Sequence, residues 1–408
     1  MNLVVIGAQW GDEGKGKIVD FLAGNAEIVV RFSGGANAGH TIVHDGTTYK
    51  LHLVPSGIIY PGTTVVLGSG MVIDPAALFA ELDELSAAGV DWQDRILISD
   101  RAHLVLPDYR REDVELDKNR KVPIGTTGRG IGVAYARKAM RDGIRVADLD
   151  DEEMLSRHTD EDRAYLALYR DRIRAMQVEI ASFMAMAKDR TVLLEGAQGA
   201  LLDLDLGTYP FVSSGSSAAS GACIGAGIGP RDLGHILGVC KAYNSRVGNG
   251  PFPSEFDPAR EGSLEDYIRN TGREFGVTTG RARRVGYLDL VALRYACRTN
   301  GITSLALTHL DVYDGMEEIK VCVAYETPDQ TLEDMPSSPR VLSSVSPVTR
   351  KFPGWSEDIS GSRSYEDLPE NARSYIEFIE SYVEVPVSVI SVGYERAQTI
   401  VRSCPWTE

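Results

Sequence analysis

The feature that most constrains the fold is a short β-branched run, LVVI at residues 3–6, which stops at a glycine and opens into the loop QWGDEGKGK at 9–17. A strand this short and apolar is expected to bury both faces. Followed by a glycine loop and a helix start (KIVDFL, 17–22), it reads as the opening of a β-loop-α unit. Comparable runs recur at 27–32, 63–67, 95–98, 191–194, 305–307 and 388–390. Helical patterns lie between them: Asp74-Pro75 is a cap followed by a favoured first-turn proline, and Leu78, Leu82 and Leu85 carry a helical spacing to a stop at Gly89. Strands alternating with helices imply an α/β chain, a P-loop-like nucleotide-binding fold with a central, mainly parallel sheet flanked by helices, plus helical and loop insertions.

Residues 152–188 are charged, helix-periodic and free of glycine and proline, which predicts a helical insertion near 150–190 lying over the surface. The Pro/Ser-rich stretch 327–369 breaks the periodicity and is expected to be an irregular surface connector before a last helix at 370–382. With no internal repeat and no low-complexity tail, one large domain over 1–408 is expected. The net charge of −16 and the lack of any run of five basic residues exclude a phosphate-backbone grip, so no nucleic-acid partner is expected. Five cysteines, none in a C-x-x-C pair, read as reduced thiols of a cytoplasmic protein, with neither disulfides nor zinc. The start MNLVVIG lacks a basic n-region, and no window holds ~18 uninterrupted apolar residues, so neither a secretory signal nor a membrane span is expected.

Glycine is in excess, 41 of 408 residues, and it clusters in loops where backbone N–H groups can approach a ligand. The loop at 9–17 offers amides, a helix N-terminus and Lys15 to an anion. It is not a Walker A loop, because that pattern needs glycine at Gln9 and a hydroxyl at Gly16. Asp12 is then the nearest carboxylate for magnesium. SGGANAGHT at 33–41 follows the second strand and brings an amide, Asn37, beside His40, which is able to act as an acid near neutral pH.

GTTGRGIG at 125–132 lacks the close of a dinucleotide fingerprint, so NAD is not supported. Its paired threonines suit phosphate or ribose, while Arg281, Arg283 and Arg284 form a cation cluster able to fork onto carboxylates. In EGAQG at 195–199, the Gln198 amide is able to read a base edge. THLD at 308–311 has the position and shape of a guanine-recognition tetrapeptide.

These loops, in this order, resemble the adenylosuccinate synthetase family over nearly the whole chain. The resemblance also takes in LLDLDLGTYPFVSS, YNSRVGNGPFPSE and DVYDGMEEIKVCVAY. It implies a GTP-dependent ligase that condenses IMP with L-aspartate to adenylosuccinate through a 6-phosphoryl intermediate, with magnesium, as a homodimer. By the same resemblance Asp12 is catalytic base and metal ligand, His40 the acid, and the Gly39 carbonyl a second metal ligand. Lys15 and Gln198 join the catalytic set. Gly14, Lys15, Gly16, Lys17 and Thr41 would hold the GTP phosphates, and His309, Asp311, Ser391 and Gly393 the guanine. Asn37, Thr126, Thr127, Gln198, Ser213 and Val247 fall on the inosine-nucleotide positions, with Arg141 reaching across the dimer. Arg129, Thr279, Arg281 and Arg283 fall on the aspartate positions.

The chain departs from the family pattern at His309, where lysine is usual, and more mildly at Ser213, Val133, Ala282 and Tyr287. Asp12 is retained, whereas a related viral branch acting on a guanine nucleotide loses it. Two other readings stay open: a guanine-nucleotide switch that cleaves GTP with no second substrate, and a sister ligase using ATP or another 6-oxopurine nucleotide.

Overall fold

The computed structural model describes residues 1–44, 47–121, 123–275 and 282–407, the side chains of Thr41, Val43 and His44 excepted. The chain is α/β, with a mainly parallel sheet flanked by helices, and it divides into two compact units. The first comprises residues 1–5, 16–198 and 213–234, and the second residues 6–15, 199–212 and 235–408.

In the first unit Val192–Gly199 pairs in parallel with Ile28–Arg31. Parallel pairing continues through Thr64–Leu67 and Ile96–Ser99 to Gln177–Val178. Ile28–Arg31 is buried throughout: Ile28, Val29 and Val30 form the apolar run that helices cover on both faces, and Arg31, buried with them, donates to the His52 and Gly35 carbonyls. The helix Pro75–Ala87 forms where the cap and proline place it. The Asp74 side chain accepts from the Ala77 N–H at 3.3 Å, and Leu78, Leu82 and Leu85 face the core. Residues 152–188 fold as the helices Glu152–Leu155, Asp160–Met176 and Ile180–Met186, with a two-residue strand before the last, so the insertion is helical but broken.

In the second unit His235–Lys241, Ser304–Thr308 and Val387–Ser391 run parallel, and Thr399–Val401 closes them antiparallel. The stretch 327–369 departs from expectation. It holds Ser346–Pro353, an eight-residue strand paired antiparallel with Glu318–Glu326. Its residues are half-buried or exposed and carry no apolar alternation, so the partner strand defines it rather than its own pattern. Among the described residues no helix is long and apolar enough to cross a membrane.

Candidate functional site

In the second unit the loop after the first strand is shaped by Glu13. Its side chain is fully buried; Oε1 accepts from the N–H groups of Gln9 (3.1 Å) and Gly11 (2.8 Å), and Oε2 from Lys15 Nζ at 2.5 Å. Gly7 and Gly199 have to be glycine, because a Cβ on either would meet this carboxylate at 2.4–2.5 Å. Gly11, Asp12 and Gly14 all lie at positive φ, which turns the loop sharply onto the N-terminus of Lys15–Ala23. Thr308 Oγ1 donates to the Glu13 carbonyl at 2.6 Å, tying the loop to the strand that precedes THLD. The glycine motif by itself gives Glu13 no role. A carboxylate between glycines beside a buried strand is the available signal.

Asp12 stays partly open, with 43% of its side chain exposed, and Oδ2 lies 3.0 Å from Arg283 Nε. The Nε–H does not point at that oxygen and has no hydrogen-bond partner among the described residues, so this is an ion pair by proximity only. Arg283 Nη1 donates to Glu274 Oε2 at 3.0 Å, and Glu274 also receives Lys241 Nζ and the Tyr243 hydroxyl (2.5 Å). Burial pushes the Glu274 carboxyl up, but the Lys241 and His309 charges and these hydrogen bonds outweigh it and hold it at about 2. Burial likewise opposes the charge on Arg283, and Asp12 and Glu274 outweigh that.

His309 sits at φ 56° with the Tyr243 ring edge-on at 5.9 Å. Asp311 follows the strand Ser304–Thr308, and Ser391, whose Oγ donates to the Gly393 carbonyl at 3.0 Å, ends the parallel neighbour Val387–Ser391. Both segments therefore leave the carboxyl ends of adjacent parallel strands, where open α/β sheets take ligands. Val247 is 60% exposed. Thr279 and Arg281 lie outside the described residues, as does the side chain of Thr41.

In the first unit His40 Nδ1 lies 2.8 Å from Glu195 Oε1. Glu195 is fully buried, and the Ser56 N–H and hydroxyl donate to it at 2.9 and 3.1 Å. Burial pushes its carboxyl up; the His40 hydrogen bond, the charges of His40 and Arg31 and the Ser56 amide outweigh that and hold it down. A carboxylate on Nδ1 is an acceptor only, so the Nδ1–H form is fixed and Nε2 is left for a substrate. The motif EGAQG gives Glu195 no role by itself, although a carboxylate inside a buried strand has to have a partner.

Arg129 donates to the Ala36 carbonyl, which brings the 125–132 loop to the Asn37 segment, and Asn37 Oδ1 is buried without a partner among the described residues. Gln198, the penultimate residue of its strand, sits at φ 57°, and a Cβ on Gly34 would lie 3.5 Å from its Nε2. The Thr126 hydroxyl is engaged by Asp113 at 2.9 Å, and its amide by Asp117 at 3.2 Å, while Thr127 is exposed. Arg141 caps the helix Ile131–Met140 at φ 67° and is exposed. Ser213 is half-buried and Gly39 exposed; Gly16 and Lys17 lie in the first turn of Lys15–Ala23. Of the seven non-glycine residues at positive φ among the described residues, four (Asp12, Arg141, Gln198 and His309) are residues singled out from sequence. Such backbone strain accumulates at functional loops.

A family model described as adenylosuccinate synthetase matches residues 4–167 and 158–400. The adenylosuccinate synthetase of Bacillus licheniformis is 47% identical over 98% of both chains, and that of Moorella thermoacetica 48% identical over 99% of both. The solved structure of fully ligated adenylosuccinate synthetase from Plasmodium falciparum superposes with a TM-score of 0.91 at 38% identity, covering 98% of this chain and 99% of that one. A cyanophage S-2L succinoaminodeoxyadenylate synthetase superposes with a TM-score of 0.66 at 19% identity, over 99% of this chain and 96% of that one, a likeness of fold alone.

Proposed function

The chain belongs to the adenylosuccinate synthetase family, the GTP-dependent ligases that join IMP to L-aspartate, and we propose that it runs this reaction with Asp12 as base and His40 as acid. The carbonyl oxygen at C6 of a purine is a poor leaving group, so it has to be phosphorylated before an amine displaces it. Asp12 takes the N1 proton as that oxygen attacks the γ-phosphate. Its reference pKa of ~3.9 makes it a weak base, so proton removal and phosphoryl transfer are coupled. His40, acting as the doubly protonated imidazolium with Nδ1–H on Glu195, donates Nε2–H to the phosphate oxygen on which charge develops. The aspartate amine then displaces phosphate at C6, its carboxylates held by the forks of Arg129 and Arg283, with Thr279 and Arg281 in the same role. The single observation that carries this reading is the buried Glu195 on His40 Nδ1, which leaves Nε2 to act.

Each unit offers an oxygen donor of the kind magnesium takes, Asp12 a partly exposed carboxylate in the second and the exposed Gly39 a backbone carbonyl in the first. When bound the ion would neutralise phosphate charge. Lys15, with Gly14, Gly16, Lys17 and Thr41, holds the GTP phosphates; His309, Asp311, Ser391 and Gly393 surround the guanine. Asn37, Thr126, Thr127, Gln198, Ser213 and Val247 take the inosine nucleotide. The match of relatives along 98–99% of the chain supports reading its two compact units as one functional whole. Buried, unpaired thiols at Cys240, Cys297 and Cys322 fit a reducing cytoplasm.

A sister ligase is not favoured, since the relatives at 47–48% identity are adenylosuccinate synthetases while the phage enzyme shares only 19%. The test is a product assay crossing GTP and ATP against IMP and other 6-oxopurine nucleotides. Adenylosuccinate is expected from GTP, IMP and L-aspartate together, with no sustained GTP turnover when either co-substrate is omitted. Steady GTP hydrolysis without them would instead identify a nucleotide switch.

The exposed Arg141 supports a shared dimer site, in which it reaches the partner's nucleotide phosphate. Arg141→Leu is expected to raise the KM for IMP by about 10- to 100-fold, the worth of a charge-assisted contact. Mixed one to one with an Asp12→Ala variant, it should recover about a quarter of wild-type activity, because half the dimers are hybrids with one intact site. If mixing recovers nothing, the shared site is wrong.

A further inference from the structure

We infer that Glu274 is a positioning residue for the amino-acid substrate, holding the Arg283 guanidinium so that a substrate carboxylate can take the place of Asp12 against its buried Nε–H. The inference rests on the reading that Arg283 binds L-aspartate. Glu274 is fully buried and grips Arg283 twice: Oε2 accepts from Nη1 at 3.0 Å, and the backbone carbonyl accepts from the Arg283 N–H at 2.9 Å. Phe275 and Ala282 form a β-bridge next to these two grips, and Thr279 and Arg281 lie between these residues in sequence. The other carboxylate oxygen is anchored by Lys241 and by the Tyr243 hydroxyl. Lys241 is the last residue of the strand His235–Lys241, so the anchor belongs to the sheet rather than to a loop.

The charges explain why this arrangement presents a cation rather than quenching one. Glu274 faces two cations, Lys241 and Arg283, so its single negative charge cannot match both, and the rest of the positive charge falls to Asp12. The proposed chemistry needs Asp12 for the nucleotide, and the guanidinium then carries an unmatched positive charge. Its Nε–H already lacks a hydrogen-bond partner among the described residues. A carboxylate supplies both the charge and the acceptor.

Glu274→Gln keeps the shape but turns an amide NH2 against either Arg283 or Lys241. The KM for L-aspartate is expected to rise at least about tenfold, with kcat within about threefold and the KM values for IMP and GTP within about twofold. A merely structural role would move all three KM values or none. If Glu274→Gln does not fold, Glu274→Gln/Lys241→Met removes the buried ammonium left without its partner, and the same pattern is expected. An unchanged aspartate KM, a parallel rise in the nucleotide KM values, or failure of both variants to fold each overturns the inference. Wild-type protein that makes no product from L-aspartate defeats the functional reading instead, so the two failures are distinguishable.

Discussion

Asp12→Asn is expected to lower kcat for adenylosuccinate formation by about 1000-fold or more, about 4 kcal/mol of transition-state stabilisation, while leaving the fold intact. Asparagine tolerates the left-handed backbone that Asp12 occupies at φ 58°, so the loop keeps its turn, whereas Asp12→Ala would add strain to the loss of function. The side chain is 43% exposed and its contact with Arg283 is not a hydrogen bond, so the loss of that pair should barely move the melting temperature. Arg283 keeps Glu274 as its partner. What asparagine removes is the charge, and with it the proton acceptor for N1 and a hard oxygen for the metal. Single-turnover product formation with saturating GTP, IMP and L-aspartate measures the effect. Retention of more than about a tenth of the wild-type rate would eliminate Asp12 as the base.

Much of this fold is readable because its strands are short, β-branched and punctuated by glycine. Residues 3–6, 27–32, 63–67, 95–98 and 388–390 each form a strand within a residue or two of the expected bounds. His235–Lys241 escapes because Gly238 and Lys241 interrupt the apolar pattern. Both are explained only by tertiary contacts: a Cβ at 238 would meet Ile302 at 2.6 Å, and Lys241 is buried on Glu274. Ser346–Pro353 escapes for the opposite reason, since a polar edge strand takes its conformation from its neighbour. The site divides along the same line. Loops that present backbone to a ligand announce themselves through glycine, so the segments around Asp12, His40 and Asp311 are legible. The carboxylates that set the state of their partners, Glu13, Glu195 and Glu274, come from segments whose local pattern says nothing about what they will face. Thr126 shows the limit in the other direction, because its hydroxyl is occupied by Asp113.

The second large effect is expected at Glu195, although it touches no substrate in the proposed mechanism. Two donors meet its carboxylate from the Ser56 side, and the backbone N–H at 2.9 Å cannot rotate away. In Glu195→Gln the amide oxygen therefore has to face that N–H, and the NH2 turns toward His40 Nδ1. The imidazole is then forced to accept at Nδ1 and to carry its single proton on Nε2. It can still polarise a phosphate oxygen, but it no longer has a carboxylate to stabilise the doubly protonated ring. If His40 acts as an acid, kcat should fall by about 100-fold or more with little change in the KM for GTP. His40→Asn should fall at least as far, and combining the two should add little, because both remove one device. If Glu195→Gln holds kcat within about threefold while His40→Asn does not, the ring serves as a neutral hydrogen-bond donor and the acid role is wrong.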